Sequence, residues 1–235
     1  MDGIQLRRAA AIVWKDMLSE GRTKARFNAM AFFAILVLFI FSFALGPDAP
    51  AVGPGRERLL EYVSPGLLWV AIVLTGVLAL GRSFQMELEG GALESYWLYP
   101  GGRQALWVGK LVSNILILLA MEALVIPFAG IIYSLDLWSR LPGLAGVAVL
   151  ATVGFAAVGT FYAALTVNIR AREVMLPVLL FPVLVPVLLA AVKSTALVVR
   201  GDPMGELGLW IRLLVVFDVV FVTVCSLTFE YVLED

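Results

Sequence analysis

Apolar residues along this chain fall in long runs separated by short polar breaks, and the length of each run sets what it can become. Phe27 to Leu45 carries no charge and ends at Gly46-Pro47-Asp48, a turn-forming triplet. At ~1.5 Å per helical residue such a run reaches across a hydrocarbon layer of about 30 Å. Comparable runs follow at about 66–80, 111–133, 144–167, 174–192 and 209–229. The pattern therefore predicts an all-α, polytopic membrane fold with six transmembrane helices. Ahead of them, residues 1–26 interleave Ile4, Leu6, Ile12, Val13, Trp14 and Leu18 with Arg7, Arg8, Lys15, Arg22, Lys24 and Arg26. That mixture predicts an amphipathic interfacial helix with its basic groups toward lipid headgroups. A signal peptide has a shorter charged region and a shorter apolar core, so this segment is expected to stay in the mature protein.

Particular residues refine the spans. Ser64-Pro65-Gly66 opens the second, in which Trp69, Thr75 and Gly76 are expected at packing positions. The apolar stretch 105–133 is longer than a bilayer needs, which predicts an interfacial start, a snorkelling Lys110 and a kink at Pro127. Gly146, Ala151, Gly154, Ala157 and Gly159 in the fourth span leave room for another helix to come close. Pro177, Pro182 and Pro186 predict a bent or partly unwound fifth span, and 193–208 reads as a polar connection. With no internal repeat or soluble portion in view, 1–235 reads as one membrane domain.

One polar stretch between spans is itself patterned as a helix. It runs from Met86 to Pro100. Gly90-Gly91 interrupt what precedes, residues 92–99 can form about two turns, and Pro100-Gly101-Gly102 end them. Leu93 and Trp97 fall four apart and Tyr96 three from Leu93, giving an apolar and aromatic stripe. Glu87, Glu89 and Glu94 place negative charge in or before the first turn, where it favours the helix dipole and where basic groups of a partner could dock. The stretch fits two readings equally: a short helix that docks on another protein, or an interfacial helix resting its Trp and Tyr at the headgroups.

Composition agrees with the pattern. Hydrophobic residues make up 61% of the chain and charged residues 15%, with a mean hydropathy of +0.96, which excludes a soluble globule. The Lys and Arg residues are scattered among spans rather than gathered on one soluble face, so nucleic acid is not an expected partner. The absence of histidine removes the commonest metal ligand and general base, and no nucleophile–base pair or metal cluster is apparent. The single Cys225 sits in an apolar run as a packing residue. No catalytic site and no bound metal or cofactor are expected in this chain. There is also no GxxxxGK[ST] sequence, so any ATP that drives the protein must be held by a second polypeptide.

The distribution of charge sets the expected orientation. Arg7, Arg8, Lys15, Arg22, Lys24, Arg26, Arg82, Arg103, Lys110, Arg170 and Arg172 lie on one side of the predicted spans. Only Arg56, Arg58, Arg140, Lys193, Arg200 and Arg212 lie on the other. Both termini and the 92–99 helix are therefore expected in the cytoplasm. Within the spans, Glu122 and Asp218 stand near mid-depth. They read either as polar groups lining a path for an amphiphilic substrate or holding a bundle contact, or as neutral acids bonded to backbone carbonyls inside the bundle.

Several motifs together resemble the CcmB family, the membrane subunit of the haem exporter of cytochrome c maturation. They are Ser64-Pro65-Gly66-Leu-Leu-Trp69, Glu87-Leu-Glu-Gly-Gly-Ala-Leu-Glu94 closed by Pro100, Gly109-Lys110-Leu111 and the terminal Phe229-Glu-Tyr-Val-Leu-Glu234. The acidic-Gly-Gly-x-Leu-Glu element is similar to coupling helices throughout ABC-2 type permeases, and the opening and closing motifs narrow the resemblance. It implies a single ABC-2 type transmembrane domain in the bacterial inner membrane. It also implies a homodimer coupled to a CcmA-like ATPase holding ATP and Mg, with CcmC-, CcmD- and CcmE-like partners and haem as the candidate substrate. By carry-over Glu89, Gly91, Leu93, Glu94, Tyr96, Trp97 and Leu98 would contact the ATPase, whose hydrolysis would drive haem export or release of the haem chaperone. The alternatives are an ABC-2 permease for another amphiphile, such as a lipid, drug or polysaccharide, and a membrane scaffold for haem-handling partners.

Overall fold

The computed structural model describes residues 3–46, 51–52, 57–89, 102–135, 137–167, 169 and 171–232. Helix α1 (Gly3–Thr23) is joined to α2 (Ala25–Leu45) through Lys24 alone, which takes a left-handed conformation with φ of 51°. Glu20 secures this corner. Its carboxylate accepts the backbone N–H of Phe27 at 2.8 Å and Arg26 Nε at 3.1 Å, giving α2 a side-chain acceptor at its start. Strands β1 (Ala51–Val52) and β2 (Glu57–Arg58) form a two-residue antiparallel pair before α3 (Leu59–Ser83) and the single turn α4 (Gln85–Glu89). Then come α5 (Gly102–Ile132), a 3-10 turn (Trp138–Arg140), α6 (Leu141–Leu165), α7 (Arg172–Arg200) and α8 (Leu207–Val232). Six of these helices are long and apolar enough to cross a bilayer, and the chain is a multi-pass membrane protein.

Helix α6 stands at the centre, packed against α3, α5, α7 and α8. Its small residues allow this: Ala151, Ala156 and Ala157 are wholly buried. Gly159 receives Leu80 of α3, and Gly154 receives Phe217 and Asp218 of α8. Gly146, expected in the same role, faces open space. Gly76 of α3 accepts the ring of Phe155, so close approach is built from both helices. The outer faces of α2 and α8 carry exposed Phe32, Phe43, Val219 and Leu227, as lipid-facing surfaces do.

The helices overrun the expected spans at three places. Helix α3 starts at Leu59 and passes through Pro65, whose missing N–H would leave the Glu61 carbonyl without its i+4 donor; the Ser64 hydroxyl donates to that oxygen at 2.9 Å instead. Helix α5 begins at Gly102 and continues past Pro127. Helix α7 stays helical past three prolines and the expected polar connection from Lys193, because Ser194 and Thr195 turn inward. There the Thr195 hydroxyl accepts the Trp69 indole N–H at 2.9 Å, tying α7 to α3. The connection that remains is short, and Asp202 accepts the backbone N–H groups of Glu206 and Leu207 at 2.8 and 2.9 Å to cap α8. Those bonds, that from Leu207 foremost, hold the Asp202 carboxyl below its ordinary value.

Candidate functional site

Residues 90–101 join α4 to α5 in the chain, and the described motif residues converge around the end of α4 and the start of α5. On α1, Ala9, Ile12 and Asp16 form a buried stripe at i, i+3 and i+7. The stripe packs on α5 where Gly109 has no side chain. A Cβ there would stand 2.8 Å from Ile12 Cβ and 3.1 Å from the Ala9 carbonyl oxygen, so glycine is what permits the approach.

The next residue, Lys110, is 1% exposed, and the expectation that it snorkels is wrong. Its ammonium donates to Asp16 Oδ2 at 2.9 Å and to the Ser83 carbonyl at 3.0 Å, and pairs with Glu87 Oε1 at 2.8 Å. All three of its protons have acceptors. Lys15 adds a second cation, paired with Glu87 and 3.4 Å from Asp16 Oδ1. The cluster thus joins α1, the end of α3, α4 and α5 with two acids and two bases. A lysine can be buried here because its charge is neutralised and its donors are used, whereas removing one partner would strand the others.

Glu87 shows the balance. Its burial pushes its pKa up, and the Lys110 and Lys15 ammoniums more than offset this, holding the carboxyl below the ordinary glutamate value of 4.5. Read from the sequence as an acid open to a partner's basic groups, Glu87 is instead inside the domain and already paired. An aromatic layer lies against the cluster. Phe229, 0% exposed, has its ring 6.4 Å from that of Phe84 and 6.3 Å from that of Trp107, and Lys110 Nζ lies 5.9 Å from the Phe84 ring centre.

Of the carried-over docking residues, Glu89 is the last residue of α4. Gly91, Leu93, Glu94, Tyr96, Trp97 and Leu98 lie outside the described residues. Both intramembrane acids are buried but are not brought together by any hydrogen bond among the described residues. Glu122 Oε1 accepts the Thr152 hydroxyl at 2.6 Å, while Asp218 faces Gly154. Two residues separate ~200° around a helix, so the two acids address different sides of α6.

A family model described as CcmB protein matches residues 7–234. The chain belongs to the CcmB family. Similar proteins include heme exporter protein B of Haemophilus influenzae, 30% identical over 184 residues covering 77% of each chain. Heme exporter protein B of Pseudomonas aeruginosa is 29% identical over 184 residues and 78% of each chain. That of Escherichia coli K12 is 27% identical over 186 residues, 77% of this chain and 80% of the relative. The Gly109-Lys110-Leu111 motif that carried the resemblance therefore has a physical basis in this CcmB-family chain: the glycine admits α1 and the lysine closes the cluster.

Sequence reasoning missed Asp16 as a site residue. Its signal was present, since an acid at the i+7 position of a stripe shared with Ala9 and Ile12 is out of place on a buried face unless a cation meets it.

Proposed function

We propose that this chain is the membrane subunit of an ABC transporter that serves haem export or haem-chaperone release in cytochrome c maturation. In this reading a CcmA-like partner binds ATP and Mg, residues 92–99 are the contact it moves, and CcmC-, CcmD- and CcmE-like proteins complete the assembly around a homodimer. The observation that carries the reading is the family match across residues 7–234, with relatives named heme exporter protein B. The excess of Lys and Arg on the α1 side supports a cytoplasmic location for both termini and for segment 90–101.

The geometry supports the mechanical part. A partner that shifts a distant equilibrium must make different contacts in two states, and its effect must reach the helices through groups that do not yield. Glu87 lies just before the segment and Lys110 shortly after it, and the two are paired inside the domain. A displacement of segment 90–101 would therefore pass to α1, α3 and α5 together. Haem is the substrate in this reading.

The test is affinity purification of the tagged chain from its native membrane. A P-loop ATPase should co-purify, and Leu93→Asp and Trp97→Ala should weaken that association without reducing insertion. A haem-loading assay on any co-purified chaperone then checks the substrate. Normal association in both variants, or ATP hydrolysis by the purified chain alone, would end this reading.

A further inference from the structure

A cavity of about 360 Å³ opens against the Lys110 cluster. That volume falls in the range of small-ligand sites. Its walls include the ends of three spans: Arg26 begins that of α2, Ser83 ends that of α3 and Glu173 begins that of α7. The cavity therefore lies at the headgroup level of the leaflet on the α1 side. Three acids and three bases line it, so its charge is balanced.

Not all of its polar groups are used. Lys110 has no proton to spare, but the buried Ser83 hydroxyl and Asp16 Oδ1 have no hydrogen-bond partner among the described residues, the latter having only the Lys15 ammonium at 3.4 Å. Buried polar atoms left in this state carry a desolvation cost that a bound donor removes. On the basic side, Arg26 uses Nε for Glu20 and has four further N–H donors, and Arg82 adds an exposed guanidinium. Guanidinium groups suit phosphate oxygens.

We propose that this cavity binds the phosphoethanolamine headgroup of a membrane phospholipid. The phosphate meets Arg26 and Arg82, and the ammonium donates to Asp16 Oδ1, with the Ser83 hydroxyl beside it and the exposed Glu173 contributing negative charge. A zwitterion enters a balanced site without leaving excess charge. A choline headgroup has no N–H to donate to Asp16, and a glycerol headgroup has no cation for it. The inference does not depend on what the transporter carries.

Native mass spectrometry of the delipidated full chain tests it, with added phosphatidylethanolamine, phosphatidylcholine and phosphatidylglycerol of matched acyl chains. Phosphatidylethanolamine should be retained at concentrations about tenfold lower than the others, the step that one charge-assisted contact of about 1.4 kcal/mol provides. Ser83→Ala should reduce that preference, whereas Arg82→Gln, which touches the phosphate common to all three, should weaken retention of every lipid and leave the preference in place, with thermal stability checked for both. Glycerophosphoethanolamine should displace the lipid and inorganic phosphate should not. Equal retention of the three lipids, an unchanged preference in Ser83→Ala, undiminished retention in Arg82→Gln, or displacement by phosphate alone would each overturn the proposal.

Discussion

Lys110 Nζ and Glu87 Oε1 lie 2.8 Å apart although segment 90–101 separates their residues in the chain. The pair ties α4 to α5, the two helices that flank that segment in the chain. Substituting Lys110→Met leaves Glu87 and Asp16 buried with Lys15 as their remaining cation, and the expected loss is about 3 kcal/mol, at the low end for breaking a buried pair. Adding Glu87→Gln should recover part of it, with a coupling of about 1–3 kcal/mol in the double-mutant cycle. Reversible unfolding in detergent measures both. Simple additivity would show that the two groups do not depend on each other.

Acid sensitivity follows from the same carboxylate. Because the folded-state pKa of Glu87 is depressed below 4.5, its pairing stabilises the protein fully above that pH and is lost as pH falls through the lower folded value. Melting temperature measured from pH 7 downward should fall less steeply below about 4.5 in Glu87→Gln than in the wild type. Parallel profiles would mean that Glu87 is not the titrating group.

Gly109 tests the seat of α1. In Gly109→Val the added carbons must displace Ile12 or the Ala9 carbonyl, which approach to 2.8 and 3.1 Å of the position a Cβ would take. An overpacking cost of about 1–3 kcal/mol is expected, together with faster amide exchange confined to α1 and the facing turn of α5. Unchanged exchange in α1 would contradict the contact.

Much of this architecture was readable from the sequence because lipid demands long apolar runs: four predicted runs lie inside observed spans, while 111–133 and 144–167 pass the helix ends at Ile132 and Leu165 by one and two residues. The ends were less legible. Hydropathy reads Lys193-Ser194-Thr195 as a break, yet Ser194 and Thr195 are buried and Trp69 binds the latter, a contact 126 residues away that no local window contains. Lys110 illustrates the same limit: its burial depends on acids from α1 and α4, and an isolated lysine near a span end resembles a snorkelling one. The motif Gly109-Lys110-Leu111 could be recognised, but its purpose needed α1 in place.

Glu122 is expected to behave as a packing group. Its Oε1 accepts the Thr152 hydroxyl at 2.6 Å, a bond that an amide oxygen can also accept, so Glu122→Gln should change stability by less than about 1 kcal/mol and leave transport intact. Glu122→Leu leaves Thr152 without that acceptor and should cost about 1–3 kcal/mol. Comparing the two by unfolding and by cytochrome c yield checks this. A transport defect in Glu122→Gln at normal expression would assign the acid a working role.

In the proposed function, residues 92–99 are the point at which a separate ATPase drives the membrane helices. A photo-crosslinking residue placed at Ser95 in the native membrane, followed by identification of the captured polypeptide, tests this most directly. Capture of a P-loop ATPase from the cytoplasmic side is the expected result; capture of an extracytoplasmic protein, or of lipid alone, would contradict it.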